Sequence, residues 1–317
     1  QVKNLQVSFP VKSGLLKRTV AEVKAVNGIS FDLYPGETLA LVGESGCGKT
    51  TAGKALIRLV DIKDGAVILD NKYHLQELSQ KQLRPLRKKI QMIFQDPFSS
   101  LNPRLMVGES IEEGMLMQKM YSTKEESLAK QKKLIKQLGL DEKMLNRYPH
   151  QFSGGQRQRI VLARALALEP EVIICDESTS ALDVSVQAQI LNLLQKIKQE
   201  QQIAYLFITH DLSVVSYLAD RVAVMYLGKI VELGKVDEIF SLPRHPYTKA
   251  LLSAAPRFDE ETKTKKIFLE GDLPDPSNPP SGCPFHPRCP KATTLCQEKA
   301  PEKTNFTNSH YCYCHYY

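Results

Sequence analysis

Apolar positions follow two rhythms along the chain. Near the start, Ile29–Leu33 alternates, and Pro35-Gly36-Glu37 then supplies a turn. Thr38–Val42 (TLALV) is an unbroken apolar run of the kind buried strands carry. Val67–Leu69 predicts another short strand. From Ser122 the spacing changes. Ser122 and Glu125 form a candidate capping box, Leu128, Ile135 and Leu138 recur at helical intervals, and Gly139 marks a stop. Strands return at Val172–Cys175 (VIIC) and Ala204–Ile208 (AYLFI), with a helix pattern from Val184 to Lys198 between them. This order predicts an α/β fold, with a parallel sheet, covering helices and a helical section that interrupts the strands.

The last stretch breaks both rhythms. Gly271–Pro280 reads GDLPDPSNPP, which suits neither helix nor central strand. Cys283, Cys289, Cys296, Cys312 and Cys314 all follow it. A module boundary is therefore expected between Pro256 and Gly271. The length of 317 residues agrees with about two domains at roughly 150 residues each. Lys and Arg number 42 against 35 acidic residues, a net charge of +7. That balance permits an anionic partner without requiring one. No apolar run reaches the ~18 residues of a membrane span, and no basic-then-apolar signal opens the sequence. The expectation is a cytosolic protein, rather than an integral membrane protein, a secreted mini-protein or a disordered chain.

Candidate chemistry begins just after the TLALV run. Gly43-Glu44-Ser45-Gly46-Cys47-Gly48-Lys49-Thr50 fits G-x-x-x-x-G-K-[ST], and a helix-compatible run, Thr51–Leu59, follows. Glycines let the backbone curl so that its N–H groups converge on phosphate oxygens, and the helix start adds its positive end. Lys49 would bridge the β- and γ-phosphates and Thr50 would ligate Mg²⁺. Cys47 is either a small bystander or, if exposed, a reactive thiol. Later, the apolar strand VIIC ends in Asp176 and Glu177. Asp176 is placed to hold Mg²⁺ through water, and Glu177 to orient or deprotonate an attacking water.

Further residues carry a family resemblance. Phe152-Ser153-Gly154-Gly155-Gln156 resembles the signature segment of ABC-transporter ATPases, with Phe where Leu is commoner. Gln95 in QMIFQDP resembles the family's Q-loop, Ser180-Ala181-Leu182-Asp183 its D-loop and His210 its switch histidine. Cys175 and Ser178 depart from the family pattern, which often has Pro after the Glu. NPRLMVGESI, RYPHQFSGGQRQRIVLARAL, SALDVSVQAQILNLL and the tail segments HPYTKALLSAAP and GDLPDPSNPPSGCPFHPRC are similar to the oligopeptide/dipeptide importer branch.

The resemblance implies a P-loop ABC cassette with a parallel-sheet core, an antiparallel β subdomain and a helical subdomain, plus a C-terminal Cys/Pro-rich module. The expected limits are 1–256 for the cassette, with the helical part about 96–165, and 257–317 for the module. It implies ATP and Mg²⁺, with Thr50, Gln95 and Asp176 toward the metal, and Glu177, His210, Gln95 and Lys49 as the catalytic set. Thr51 completes the nucleotide loop. Ser153, Gly154 and Gly155 would cap the γ-phosphate of an ATP held by a second cassette, with Asp183 in the D-loop. Phe9 is the candidate for stacking on adenine, its alternative being a core strand residue, and Pro10–Val23 reads as an insertion. Arg157, Arg159 and the run Arg84–Lys89 are read as structural or solvated rather than as a nucleic-acid surface.

The cysteine-rich tail leaves several readings open. A Pro-rich segment with little core of its own would need a cross-link, and in a reducing compartment a metal serves. The resemblance implies a structural four-iron cluster on Cys283, Cys289, Cys296 and Cys314, with Cys312 spare. Zinc with His286 or His315, and unmetallated thiols, are the alternatives.

The function implied is the ATP-hydrolysing subunit of a peptide importer, peripheral on the cytosolic side of the membrane. Its implied partners are a paralogous ATP-binding subunit, two permease subunits and, indirectly, an extracytoplasmic peptide-binding protein, with no nucleic acid. Rival readings are an importer ATPase for another small solute such as nickel, a soluble ABC ATPase acting on nucleic acid or ribosomes, and an inactive regulatory cassette.

Overall fold

The computed structural model describes residues 1–13, 18–96, 99–180, 182–254 and 267–317. Its first elements are β1 (Val2–Ser13), β2 (Arg18–Phe31), β3 (Thr38–Val42), α1 (Lys49–Leu56), β4 (Asp64–Leu69), β5 (Tyr73–His74), α2 (Gln80–Leu86) and β6 (Ile90–Ile93). There follow α3 (Val107–Met117), α4 (Lys124–Gln137), α5 (Gly154–Leu166), β7 (Val172–Asp176), α6 (Val184–Gln201) and β8 (Ala204–Thr209). The chain ends with α7 (Leu212–Leu218), β9 (Arg221–Tyr226), β10 (Lys229–Lys235), α8 (Val236–Ser241), α9 (Pro246–Ala254), α10 (Thr294–Glu298), β11 (Lys303–Asn305) and β12 (Tyr311–Tyr313). These fall into two units, one made of 1–33, 38–77 and 208–317, the other of 34–37 and 78–207.

The first unit holds the TLALV strand. All five residues of β3 are buried, as an apolar run without alternation requires. β3 lies parallel to β9, with Leu39 opposite Arg221 and Val42 opposite Val224. β9 continues antiparallel to β10, β10 to β12, and β12 to β11. Chain-terminal strands thus extend the layer that carries β3. Ala40, Val42, Val222, Val224, Tyr226, Tyr247, Cys283, Phe285 and Cys296 share one buried cluster. A separate antiparallel sheet has the order β2-β1-β4-β5. Within it Val2, Leu5 and Val7 are buried on β1. The Pro10–Val23 stretch lies in the β1–β2 hairpin, although residues 14–17 lie outside the described ones. The module boundary expected between Pro256 and Gly271 also falls largely outside them, and Gly271–Pro280 is neither helix nor strand.

The second unit carries the helical section. β6 and β7 are parallel, with Ile90 opposite Val172 and Ile93 opposite Cys175. Ile111 and Met115 of α3, Ile135 of α4 and Ile160 and Leu162 of α5 are buried. The start of α4 differs from expectation by one residue. Thr123, not Ser122, is the N-cap, accepting from the Glu126 N–H, while Glu126 rather than Glu125 accepts from the Ser122 N–H. Either hydroxyl residue satisfies the cap chemistry, and packing of the buried positions sets the register. Leu128 is exposed, so the buried stripe runs through Ser127, Gln131, Leu134 and Ile135 instead. Two helices also shift at their ends: α1 spans Lys49–Leu56 rather than Thr51–Leu59, and α6 runs on to Gln201. Among the described residues no helix is long and apolar enough to cross a membrane.

Candidate functional site

The phosphate loop joins β3 to α1 along a path that only glycine fits at two points. Gly43 has φ +155° and Gly48 φ +105°. A Cβ on Gly43 would lie 2.2 Å from the Met225 carbonyl oxygen, and one on Gly48 2.0 Å from that of Ala25. The Lys49 side chain is buried and folds back over the loop, its Nζ donating to the carbonyls of Gly43 (2.8 Å) and Glu44 (2.9 Å). Gly48 is the N-cap of α1 and supplies no side-chain cap to the helix start. Backbone donors, a helix start and a lysine ammonium make this loop suited to polyphosphate. Cys47 is buried, and burial pushes its thiol up, so the reactive-thiol alternative does not hold.

At the end of β7, Asp176 is buried and Glu177 adopts φ +44°, an unusual conformation for a residue with a Cβ. The Gln95 side-chain amide donates to Glu177 Oε2 at 2.9 Å, across 82 residues of sequence. Ser180 Oγ donates to the Glu177 carbonyl, and Asp183 caps α6 by accepting from the Val186 N–H. Ala181, in the D-loop segment, lies outside the described residues. Cys175 and Ser178 are buried there, and burial raises the Cys175 thiol to about 12.

The signature segment starts α5. Ser153 caps the helix, its hydroxyl accepting from the Gln156 N–H while Gln156 Oε1 accepts from the Ser153 N–H. Phe152 is buried just before it. Arg157 donates to the carbonyls of Pro149 and His150, and Arg159 to that of Leu138 and to Gln189, as structural residues do.

The remaining candidates lie in the first unit. His210 follows β8 and is exposed, and Asp211 beside it caps α7. Phe9 stands opposite Val23 in the hairpin and is 41% exposed, so it is not a core strand residue. Thr50 and Thr51 open α1.

The metal expected in the tail is not supported. Among the described residues, no group of three or more His, Cys, Asp or Glu side chains could hold a metal ion. This contradicts the four-iron cluster expected on Cys283, Cys289, Cys296 and Cys314, and equally zinc with His286 or His315. The tail is ordered by a core, without a cross-link. Cys283, Phe285 and Cys296 sit in the buried cluster that also holds Val42 and Tyr226, and β11 and β12 pair into the sheet. Burial raises the Cys283 thiol to about 11.

One feature of the loop had no signal in the sequence. Arg288 donates through both Nη atoms to the Glu44 carboxylate, and the Tyr247 hydroxyl accepts from the Glu44 N–H. Nothing local links residues so far apart in the chain.

A glycine-rich loop between a buried parallel strand and a helix, with a carboxylate pair ending a second strand, defines a P-loop ATPase of the ABC type. The model of the ABC transporter family matches residues 26–180, and that of the oligopeptide/dipeptide transporter C-terminal region matches 231–296. The chain is 49% identical to the oligopeptide transport ATP-binding protein AppF of Bacillus subtilis, over 100% of this chain and 97% of that one. It is 48% identical to OppF of Haemophilus influenzae, over 99% and 96%. A dimeric post-hydrolysis structure of the ATP-binding cassette MJ0796, bound to ADP and Pi, superposes with a TM-score of 0.66 at 29% identity, covering 74% of this chain and 97% of that one. The chain belongs to the ATP-binding subunits of the oligopeptide/dipeptide ABC transporter family, and is an ATP-hydrolysing enzyme.

Proposed function

We infer that this chain hydrolyses ATP to energise the import of oligopeptides or dipeptides, as a peripheral subunit on the cytoplasmic side of a membrane permease. The observation that carries the reading is the phosphate loop, with Lys49 held over it by the Gly43 and Glu44 carbonyls at the start of α1. ATP supplies a polyanion able to replace those carbonyls as the partner of the ammonium. The match of residues 231–296 to the oligopeptide/dipeptide C-terminal region, and the peptide transport proteins among the relatives, support the substrate class.

The residue roles follow from chemistry. Backbone N–H groups of Gly46–Thr51 bind phosphate oxygens, and Lys49 neutralises charge developing on them. Glu177 takes a proton from the attacking water, oriented by the Gln95 amide. His210 stabilises charge on the γ-phosphoryl group, and Phe9 offers an exposed ring to adenine. The Thr50 hydroxyl, the buried Asp176 carboxylate and the Gln95 amide are hard oxygen donors of the kind Mg²⁺ takes. Mg²⁺, when bound, neutralises charge on the β- and γ-oxygens.

The Ser153-capped start of α5 presents bare glycine N–H groups, suited to a phosphate held by a second, paralogous cassette. Two permease subunits and a peptide-binding protein complete the assembly in this reading, with the cassette at 1–256 and the C-terminal module at 257–317. The test is peptide-dependent ATPase activity of the assembled complex. Peptide uptake that survives deletion of this subunit would overturn the reading.

A further inference from the structure

Glu44 places a carboxylate inside a loop built for an anion. Left alone, its charge would oppose polyphosphate binding. The structure gives it a partner from the far end of the chain. Arg288 Nη1 donates to Glu44 Oε2 at 2.6 Å and Nη2 to Oε1 at 3.1 Å, a bidentate fork. The Arg288 side chain is 8% exposed and that of Glu44 29%. Arg288 Nε is buried and has no hydrogen-bond partner. Glu44 is thus the group that compensates this buried charge, and a buried charge without its partner is costly.

Glu44 is held at its other polar atoms as well. Its N–H donates to the Tyr247 hydroxyl at 2.8 Å, and its carbonyl accepts from Lys49 Nζ at 2.9 Å. The peptide that Arg288 anchors through its side chain is therefore the one that holds the loop lysine. Leu273, from the same C-terminal segment, has its Cδ2 3.8 Å from where a Cβ on Gly46 would stand. The segment backs the phosphate loop at two points, one ionic and one apolar.

We propose that Arg288 is a positioning residue for ATP binding: it neutralises the Glu44 carboxylate and fixes the Glu44 peptide that holds Lys49, so that the C-terminal segment sets the nucleotide affinity of the loop. The inference rests on the ATPase reading above and adds a residue to the same site. Its effect belongs to nucleotide affinity more than to the chemical step, because Arg288 acts through Glu44.

The test uses the full chain in the assembled transporter, with ATP as the titrant. Steady-state ATPase gives KM and kcat for the wild type, Arg288→Gln, Arg288→Lys and the double variant Arg288→Gln/Glu44→Gln, with thermal melting as the check on folding. An unpaired carboxylate near the phosphates is expected to raise the KM of Arg288→Gln roughly tenfold, with kcat changed less than about threefold. Arg288→Lys keeps the charge but loses the fork, so its KM falls between the two. In the double variant the repelling charge is gone, and KM drops at least about threefold below that of Arg288→Gln. A residue that only stabilises the fold gives no such rescue. An unchanged KM in folded Arg288→Gln, or a double variant no better than the single one, overturns the proposal. If Arg288→Gln does not fold, Arg288→Lys decides: a raised KM at wild-type melting supports the proposal and an unchanged KM overturns it. Lys49→Ala is the control on the reading beneath. If it leaves ATP turnover intact, the ATPase reading fails, whatever Arg288 does.

Discussion

The Gln95 side chain donates a 2.9 Å hydrogen bond to Glu177, joining the end of β6 to the end of β7. The bond holds the carboxylate that the proposed function assigns as the base for the attacking water. Replacing Glu177 by Gln keeps the size and removes the base. Turnover in the assembled complex is expected to fall roughly 10²–10⁴-fold, the range for a positioned general base, with nucleotide binding retained. Gln95→Ala removes only the orienting bond, so it lowers kcat by less than Glu177→Gln does. Single-turnover ATP hydrolysis checks both. Near-wild-type turnover in Glu177→Gln excludes Glu177 as the base.

Gly155 sits against α6 with no room for a side chain. A Cβ there would lie 2.3 Å from Val186 Cγ1, far inside contact distance. Gly155→Ala gains helix propensity but must push Val186 aside, and overpacking of this kind costs about 1–3 kcal/mol. The expected net result is a lower melting temperature, partly recovered when Val186→Ala opens the space. Melting curves of the single and double variants measure it. No loss in Gly155→Ala means that α5 and α6 separate freely at this point.

Much of this was legible because it is local. The TLALV run, the glycine pattern and Lys49 lie within a dozen residues, and their order alone fixes strand, loop and helix. The Asp176–Glu177 strand end is equally short-range. The α4 start slipped by one because Ser122 and Thr123 are both able to cap. The order of the tail was not legible for a different reason: cysteine spacing does not report burial, and the buried cluster that holds Cys283 and Phe285 draws on β3, β9 and α9. The Arg288–Glu44 pair spans 244 residues, and nothing in either neighbourhood announces it.

If the C-terminal segment is ordered by a shared core, one ring should hold much of it. Phe285 is 1% exposed and meets Tyr226 edge-on at 5.2 Å between centroids, with Tyr247 at 5.4 Å and His245 at 5.5 Å. Phe285→Ala is expected to cost about 3–5 kcal/mol, the range for deleting a buried aromatic ring. Because Tyr247 also holds the Glu44 N–H, ATP affinity should fall with it. Urea unfolding and ATP titration report the two effects. A loss under about 1 kcal/mol would mean that the ring adds little to the segment's order.

His245 gives the first unit a pH dependence of definite sign. Burial, helped by Lys249 one turn along α9, lowers its pKa from 6.5 to about 3. Its Nδ1 accepts from the Tyr247 N–H at 3.1 Å, which requires that nitrogen unprotonated. Its main-chain N–H donates to buried Glu232, which also accepts from His310 at 2.8 Å. The folded pKa lies below the unfolded one, so the unfolded chain binds the extra proton between them. Stability is therefore full above about pH 6.5 and falls as the pH drops toward 3, at up to about 1.4 kcal/mol per unit. Between pH 7.5 and 5.5 the wild type is expected to lose about 1.4 kcal/mol through this group. His245→Gln offers no titrating ring, so its urea midpoint should shift less over the same interval. The difference between the two pH dependences isolates His245 from other groups that titrate there. Equal shifts in both proteins would mean that His245 is protonated in the folded state, at odds with the hydrogen bond its Nδ1 accepts.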